Sequence, residues 1–320
     1  TVTVDFLFVA NDRYAANLGI CTCSVMHNMC PVTDKVRIFV MDCGITEENK
    51  ARLLRQAARY ENAEIIFHNI ERDLLEVVPK VPNKWNPAIY GRLFLTDLLS
   101  LYDGLERLIY LDCDILMDRR VTELFSLPME GKCIAGVADG ECMQRKRALR
   151  MDPSVPYINS GVMVIDTKRW VELDATNKVI NLINTYPEML LYPDQDAINY
   201  VLHDEIMLIE PKYNMVWMLY DRDIKKMLRF SEDYCYNEEQ TRQALYHGSI
   251  YHYAGRNMWS VSHRITPVHS VILNRYIRLS DWHDKKRRFG GIGNFMIWFI
   301  FKSNKVLIGQ EFITRWRIKK

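Results

Sequence analysis

The sequence predicts an α/β protein, a parallel sheet wound with helices. Three observations carry this. Short apolar strands alternate with helical stretches from the N-terminus to about residue 210, the pattern of strands joined by crossover helices. Arg107-Leu108-Ile109-Tyr110-Leu111 has no charge after its first residue, as expected of a strand buried on both faces. Asn11 and Asp112 both fall where predicted strands end, which is where such sheets hold their ligands.

Taken in order, residues 2–10 are β-branched and aromatic and read as the first strand. The polar loop Asn11-Asp12-Arg13-Tyr14 leads into a helix over 18–29, and 36–41 form a second strand. Thr46 is a good N-cap for a helix over 47–60 rich in Glu, Lys, Arg, Ala and Leu, and 63–70 form a third strand. No Gly-x-Gly-x-x-Gly follows the first strand, so a dinucleotide-binding domain is not supported. Residues 77–87 hold three prolines and read as a loop, with a mobile flap near Trp85. An amphipathic helix over 89–102 carries Arg92 near its start. After the central strand come a short helix over 121–127 and a strand over 133–139. Residues 140–156 read as irregular; their Arg145, Lys146, Arg147 and Arg150 form either a solvated face or the border of an acceptor groove. A strand over 157–166, helices over 171–186 and 194–202, and a strand over 205–210 follow.

With 320 residues and 48% hydrophobic content, the chain can bury a full core. Its formal charge of +2 is unevenly spread. Residues 285–320 hold ten Lys or Arg and one acid, Glu311, a net of +9, so the rest carries −7. An acidic body with a basic end points to an anionic surface as partner. Eight cysteines without a Cys-x-x-Cys pair make neither a disulfide framework nor a zinc site. They read as reduced core thiols in a cytoplasmic protein, and the N-terminal residues show no secretory pattern.

Asp112 and Asp114 interrupt apolar sequence. Two residues apart on a strand, they point to the same side. Such a pair repels itself and is costly to desolvate, and a divalent cation relieves both penalties. Oxygen ligands suit Mg²⁺ or Mn²⁺. The plain alternative is a strand end that has reached water.

Six short motifs stand in one order: Asn11-Asp12-x-Tyr14, Tyr90-x-Arg92, Leu111-Asp112-Cys113-Asp114, Asn159-Ser160-Gly161-Val162, Asp194-Gln195-Asp196 and His252-Tyr253-Ala254-Gly255. Together they resemble glycosyltransferase family 8, the retaining enzymes that include bacterial lipopolysaccharide galactosyl- and glucosyltransferases and the glycogenins. The resemblance runs from the first strand to about Trp259. It implies a GT-A fold, with a single mixed, mostly parallel sheet and helices on both faces, a UDP-sugar donor and a divalent cation, usually Mn²⁺. It further implies that Asn11 hydrogen-bonds uracil, Tyr14 stacks on it, and Asp112, Asp114 and His252 ligate the metal. Tyr14 as a core aromatic and His252 as a packed core histidine are the plain alternatives. Arg92 would lie near the donor phosphate or sugar, the alternative being an exposed helix residue paired with Asp97 or Glu106. Asp139, Asn159, Asp194 and Gln195 resemble the group around the transferred sugar, though Asp194 also sits where a helix N-cap would. Ser160, Gly255 and Arg256 complete the donor site. The family usually has a lysine before the final Trp of the His-x-x-Gly segment; here that segment is one residue shorter, with Arg256 as the substitute.

The resemblance thus implies transfer of glucose or galactose to a hydroxyl of an acceptor glycan, through a transition state like an oxocarbenium ion. Gln195 stands where a nucleophile would be wanted, and an amide is a poor one. Same-face attack is therefore favoured, with the leaving phosphate accepting the acceptor's proton. The rivals are a sugar nucleotidyltransferase, which would open with a Gly-rich basic loop absent from 11–17, and a catalytically inactive glycan-binding module. The division expected is a catalytic domain over 1–262 and a C-terminal helical, basic and aromatic segment over 263–320. The apolar stretch 292–301 is about half of the ~20 residues a membrane span needs. Aromatics mixed with Lys and Arg instead suit an interfacial anchor, peripheral at the inner face of the plasma membrane, where acceptors are lipid-linked. A packed C-terminal helix is the alternative, and no nucleic-acid motif accompanies the bases.

Overall fold

The computed structural model describes residues 1–70, 87–216, 236–254, 258–261 and 267–289. β1 (Val2–Ala10) has the predicted bounds. α1 (Ala15–Asn28) starts earlier than predicted, because it is buried almost throughout and no polar face marks its first turn. β2 (Asp34–Asp42), α2 (Glu47–Ala57) and β3 (Ala63–Asn69) follow. The Thr46 side chain caps α2 by accepting the Asn49 N–H. The expected flap near Trp85 lies outside the described residues.

Where one helix over 89–102 was expected, the chain makes a 3₁₀ coil, Pro87–Phe94, and then α3 (Leu95–Leu101). Gly91 in that coil lies so close to β1 that a Cβ there would meet Val9 Cγ1 at 2.5 Å. β4 (Arg107–Leu111), β5 (Ile115–Met117), the single turn α4 (Thr122–Phe125) and β6 (Ile134–Ala138) come next.

Residues 140–156 are not irregular: they contain α5 (Cys142–Ala148). Nor are their first bases a solvated face. Arg145 is buried and donates to both carboxylate oxygens of buried Asp196, and buried Lys146 donates to Pro153 O and Val155 O. Arg147 and Arg150 are exposed. After β7 (Ile158–Asp166), the expected helix over 171–186 is two, α6 (Thr167–Glu172) and α7 (Ala175–Thr185). The break is at Asp174, whose φ of +51° is a left-handed conformation that aspartate tolerates better than most residues. α8 (Pro193–Leu202), β8 (Ile206–Leu208), β9 (Met215–Val216), α9 (Glu238–His247), β10 (Ile250–His252) and α10 (Pro267–Leu279) complete the main elements.

The central sheet has seven strands in the order β3-β2-β1-β4-β7-β6-β8. Only β7 runs against its neighbours. The chain builds outward from β1 to β3, then returns to add β4 on the other side of β1. That reversal opens a crevice between the carboxyl ends of β1 and β4, at Asn11 and Asp112. Alternation along β1 sends Phe6 and Phe8 into the core layer under α1 and α2, and Leu7 into the layer under α3, α7 and α8.

A second sheet, β5-β10-β9, was not among the predicted elements, and it carries His252. Part of the expected C-terminal segment packs on the body. Tyr276 of α10 accepts from Asn28 Nδ2 at 2.7 Å and donates to Asp118 at 2.6 Å. Trp282 fills a notch above Gly19, where a Cβ would meet the indole at 2.0 Å. No helix among the described residues is long and apolar enough to cross a membrane. The aromatic run from residue 290 onward lies outside them.

Candidate active site

Asp112 and Asp114 lie in the turn between β4 and β5, not on a strand as their spacing suggested. Backbone bonds tie that turn on both sides. The Asp112 N–H donates to Gly161 O on β7, and the Tyr253 N–H donates to Asp114 O, each at 2.9 Å. Antiparallel pairing sets His252 opposite Ile115, at the edge of the same turn. His252 Nε2 therefore sits 3.1 Å from Asp114 Oδ1 and 3.8 Å from Asp112 Oδ2. One ligand atom from each residue lies within 4.8 Å of the other two. A Cβ at Gly161 would come within 2.3 Å of His252 Cε1 and 2.9 Å of Asp112 Oδ2, so the cluster needs glycine there. Burial disfavours a charged His252, but Asp114 and then Asp112 outweigh it and raise its pKa. The cluster favours positive charge at its centre.

The surface alternative for Arg92 fails. Arg92 is buried; Nη2 donates to Asp112 Oδ1 at 2.8 Å, Nη1 donates to Ser160 O at 3.0 Å, and Nε lies 3.1 Å from Asp194 Oδ2. Its guanidinium stacks 4.3 Å from the centre of the Tyr110 ring, whose hydroxyl donates to Asp112 Oδ1 at 2.7 Å. Asp194 is not the N-cap of α8; Tyr192 is, without a side-chain cap bond. Burial raises the Asp194 pKa, and Arg92 works against that rise.

Asp139 follows β6, Asn159 and Ser160 open β7, and Gln195 lies in the first turn of α8. The four meet. Asn159 Nδ2 donates to Asp139 Oδ2 at 2.9 Å. Gln195 Nε2 donates to Asp139 Oδ2 and to the Tyr157 hydroxyl, while its Oε1 accepts the Ser160 N–H at 3.1 Å. Asn159 Oδ1 accepts from Gly161 N and from Asn214 Nδ2, and Asn214 Oδ1 lies 3.0 Å from His252 Nδ1. Hydrogen bonds thus run unbroken from Asp139 to the Asp-Asp-His cluster.

At the crevice mouth Tyr14 is 39% exposed, so it is not a core aromatic. Asn11 Oδ1 is buried without a hydrogen-bond partner. An unmet acceptor of this kind costs about 1–3 kcal/mol, which a ligand N–H would relieve. Asn11, Tyr14, Arg92, Asp114, Gln195 and His252 are among the residues lining a cleft of about 520 Å³. Ala254 closes one side with φ +44°, a strained value for alanine. Gly255 and Arg256 lie outside the described residues. Sequence reasoning passed over Tyr110 and Asn214 and gave Gly161 no role of its own. An apolar strand tyrosine and a loop asparagine carry no signal without their partners.

The model of the family described as Glycosyl transferase family 8 matches residues 6–258. The chain belongs to glycosyl transferase family 8. This glycosyltransferase is 31% identical over 207 residues to General stress protein A of Bacillus subtilis, covering 64% of this chain and 71% of that one. It is 32% identical over 169 residues to the lipopolysaccharide 1,2-glucosyltransferase of Escherichia coli strain K12, covering 52% and 49%. Among solved structures it resembles the galactosyltransferase LgtC in complex with donor and acceptor sugar analogs. The TM-score is 0.69 at 21% identity, over 86% of this chain and 95% of that one. That likeness shows the GT-A fold.

Proposed function

We propose that this family 8 glycosyltransferase is a retaining hexosyltransferase that moves glucose or galactose from a UDP-sugar to a hydroxyl of an acceptor glycan. The observation that carries this is the Asp112, Asp114 and His252 cluster at the β1–β4 crevice, beside the unmet acceptor of Asn11. Two carboxylates and an imidazole suit Mn²⁺ or Mg²⁺ held at Asp112, Asp114 and His252. Bound there, the cation would stabilise charge on the departing diphosphate as a Lewis acid.

The chain's own residues do the rest. Asn11 Oδ1 accepts a uracil N–H, and Tyr14 offers its exposed ring for stacking. Arg92 acts chiefly by holding Asp112 and Asp194 in place, since both carboxylates already occupy its donors. Asp139, Asn159, Asp194 and Gln195 offer polar atoms to hexose hydroxyls. Gln195 is an amide, so we favour attack from the leaving-group face, with the acceptor's proton passing to the departing phosphate. Ser160, Gly255 and Arg256 belong to the donor site in this reading.

The chain covers about half of the lipopolysaccharide glucosyltransferase that it resembles. That relative's name, together with the basic segment 285–320, favours a lipid-linked acceptor met at the cytoplasmic membrane surface. A nucleotidyltransferase lacks support, because no Gly-rich loop follows β1. An intact Asp-Asp-His cluster argues against an inactive module.

A screen of UDP- and GDP-hexoses with Mn²⁺ tests the reading. UDP-hexose should release UDP, chelator should abolish release, and Asp114→Asn should lower it by orders of magnitude. Full release in excess chelator would overturn the metal assignment, and pyrophosphate from UTP plus a sugar phosphate would reverse the reaction class.

A further inference from the structure

We propose that Asn214 is a positioning residue: it sets the tautomer of His252 so that Nε2 faces the two aspartates as a ligand. This rests on the cation site proposed above.

Asn214 is fully buried, between a 3₁₀ turn, Pro211–Tyr213, and β9. It bridges Asn159 Oδ1, 2.9 Å from its Nδ2, and His252 Nδ1, 3.0 Å from its Oδ1. Which end of the amide faces the histidine follows from groups that cannot be reversed. At one end Asn159 Nδ2 lies 2.9 Å from Asp139 Oδ2, and an ionised carboxylate only accepts. At the other, the Gly161 backbone N–H lies 3.1 Å from Asn159 Oδ1, and an N–H only donates. Asn159 is therefore held with its oxygen toward Asn214. Asn214 must then present its NH₂ to Asn159, which turns its oxygen to His252. A buried oxygen facing an unprotonated Nδ1 would set two acceptors against each other. The proton thus resides on Nδ1, and Nε2 offers its lone pair toward Asp112 and Asp114. Groups behind a ligating histidine commonly fix its tautomer in this way.

The same chain joins the sugar-facing carboxylate Asp139 to the cation-facing imidazole with two asparagines between them. Neither asparagine can turn over without breaking a bond at its neighbour.

Two measurements on the full chain test this. The first is Mn²⁺ affinity without donor or acceptor, from paramagnetic resonance of the free ion. The second is the long-range ¹H–¹⁵N spectrum of histidine-labelled, metal-free protein at alkaline pH, with the His252 signal identified by its loss in His252→Ala. We expect the Nδ1–H tautomer in the wild type. Asn214→Leu should lose that tautomer and bind Mn²⁺ about 10–100-fold more weakly. Asn214→Asp still accepts from Nδ1–H but sets a carboxylate oxygen against Asn159 Oδ1, so it should keep the tautomer and bind Mn²⁺ more tightly than Asn214→Leu, though below wild type. A merely structural role would not separate these two variants. An Nε2–H tautomer in the wild type overturns the proposal without any substitution, whether or not Asn214→Leu folds. Wild-type affinity in Asn214→Leu overturns it too, while leaving the cation site standing. Equal Mn²⁺ binding by wild type and His252→Ala would instead sink the cation site, and the positioning role with it.

Discussion

Gly161→Ala adds one methyl group where the packing leaves no room. The new Cβ would stand 2.3 Å from His252 Cε1 and 2.9 Å from Asp112 Oδ2. Ordinary contact at a Cβ begins near 3.4 Å, so the imidazole must retreat by about 1 Å. His252 is 3% exposed, paired to β5 through its backbone and bonded to Asn214, so it has little space to retreat into. Metal sites tolerate ligand shifts of about 0.2 Å, and a 1 Å misplacement of a catalytic group costs on the order of 10²-fold in rate. We expect Mn²⁺ affinity to fall at least ~10–100-fold and UDP release to fall about 100-fold at saturating donor. The fold should survive: overpacking costs about 1–3 kcal/mol, partly offset by the lower chain entropy of alanine in the unfolded state. Titration of Mn²⁺ by paramagnetic resonance, turnover at each concentration, and a thermal melt read the three quantities. A variant that melts near wild type and binds Mn²⁺ as tightly would refute the placement of Gly161 against the ligands.

Arg92→Met should cost about 3–5 kcal/mol in urea denaturation, because it strands the buried Asp194 and leaves Asp112 without its guanidinium; an unchanged midpoint would show that those carboxylates do not depend on it. Asp34 carries the pH prediction. Burial alone would raise its pKa, but Arg120 and the Cys30 N–H outweigh this and hold it below its ordinary 3.8. Its contribution is therefore present in full above that value and lost as pH falls through the lower folded value. The stability gap between wild type and Asp34→Asn should stay level from about pH 7 to about pH 4 and then shrink; a gap that widens in acid would contradict the sign. For the basic end, a chain stopped at Phe289 keeps Trp282 and the Arg287 bond to Met258 O. The full chain should sediment with anionic vesicles at low salt and the shortened one less, whereas equal binding would rule out residues 290–320 as an anchor.

Much of the body was legible because its signals are local. A β-branched run such as Val2–Ala10 declares a strand within its own length, and Thr46 declares the start of α2 by its hydroxyl. What escaped depends on partners far along the chain. Arg145 and Lys146 look like solvated bases until Asp196 and the Pro153 and Val155 carbonyls close over them. The surface alternative for Arg92 stayed open because nothing nearby in sequence discloses that Gly91 brings the coil against Val9. His252 was legible through the six-motif resemblance alone, since a three-residue strand has too few side chains to show a period. Asn214 follows the short 3₁₀ turn Pro211–Tyr213 and belongs to no helix or strand face, so periodicity could not mark it. Its function is defined wholly by what stands on either side of it.

The seat of Trp282 has a consequence for how the protein is made. The notch above Gly19 is formed by the first helix of the chain, yet its occupant comes from near the far end of the described residues. At synthesis rates of about 5–20 residues per second, the ribosome needs roughly 13–50 s to travel from the end of that helix to the tryptophan. Throughout that interval an apolar slot lies open on the nascent polypeptide, and the layer containing Phe6, Leu18 and Leu53 lacks its indole. The packing of this layer therefore waits on Trp282, which follows α10. A chain released by a stop before Trp282 would carry a gap above Gly19, which makes it a substrate for quality control.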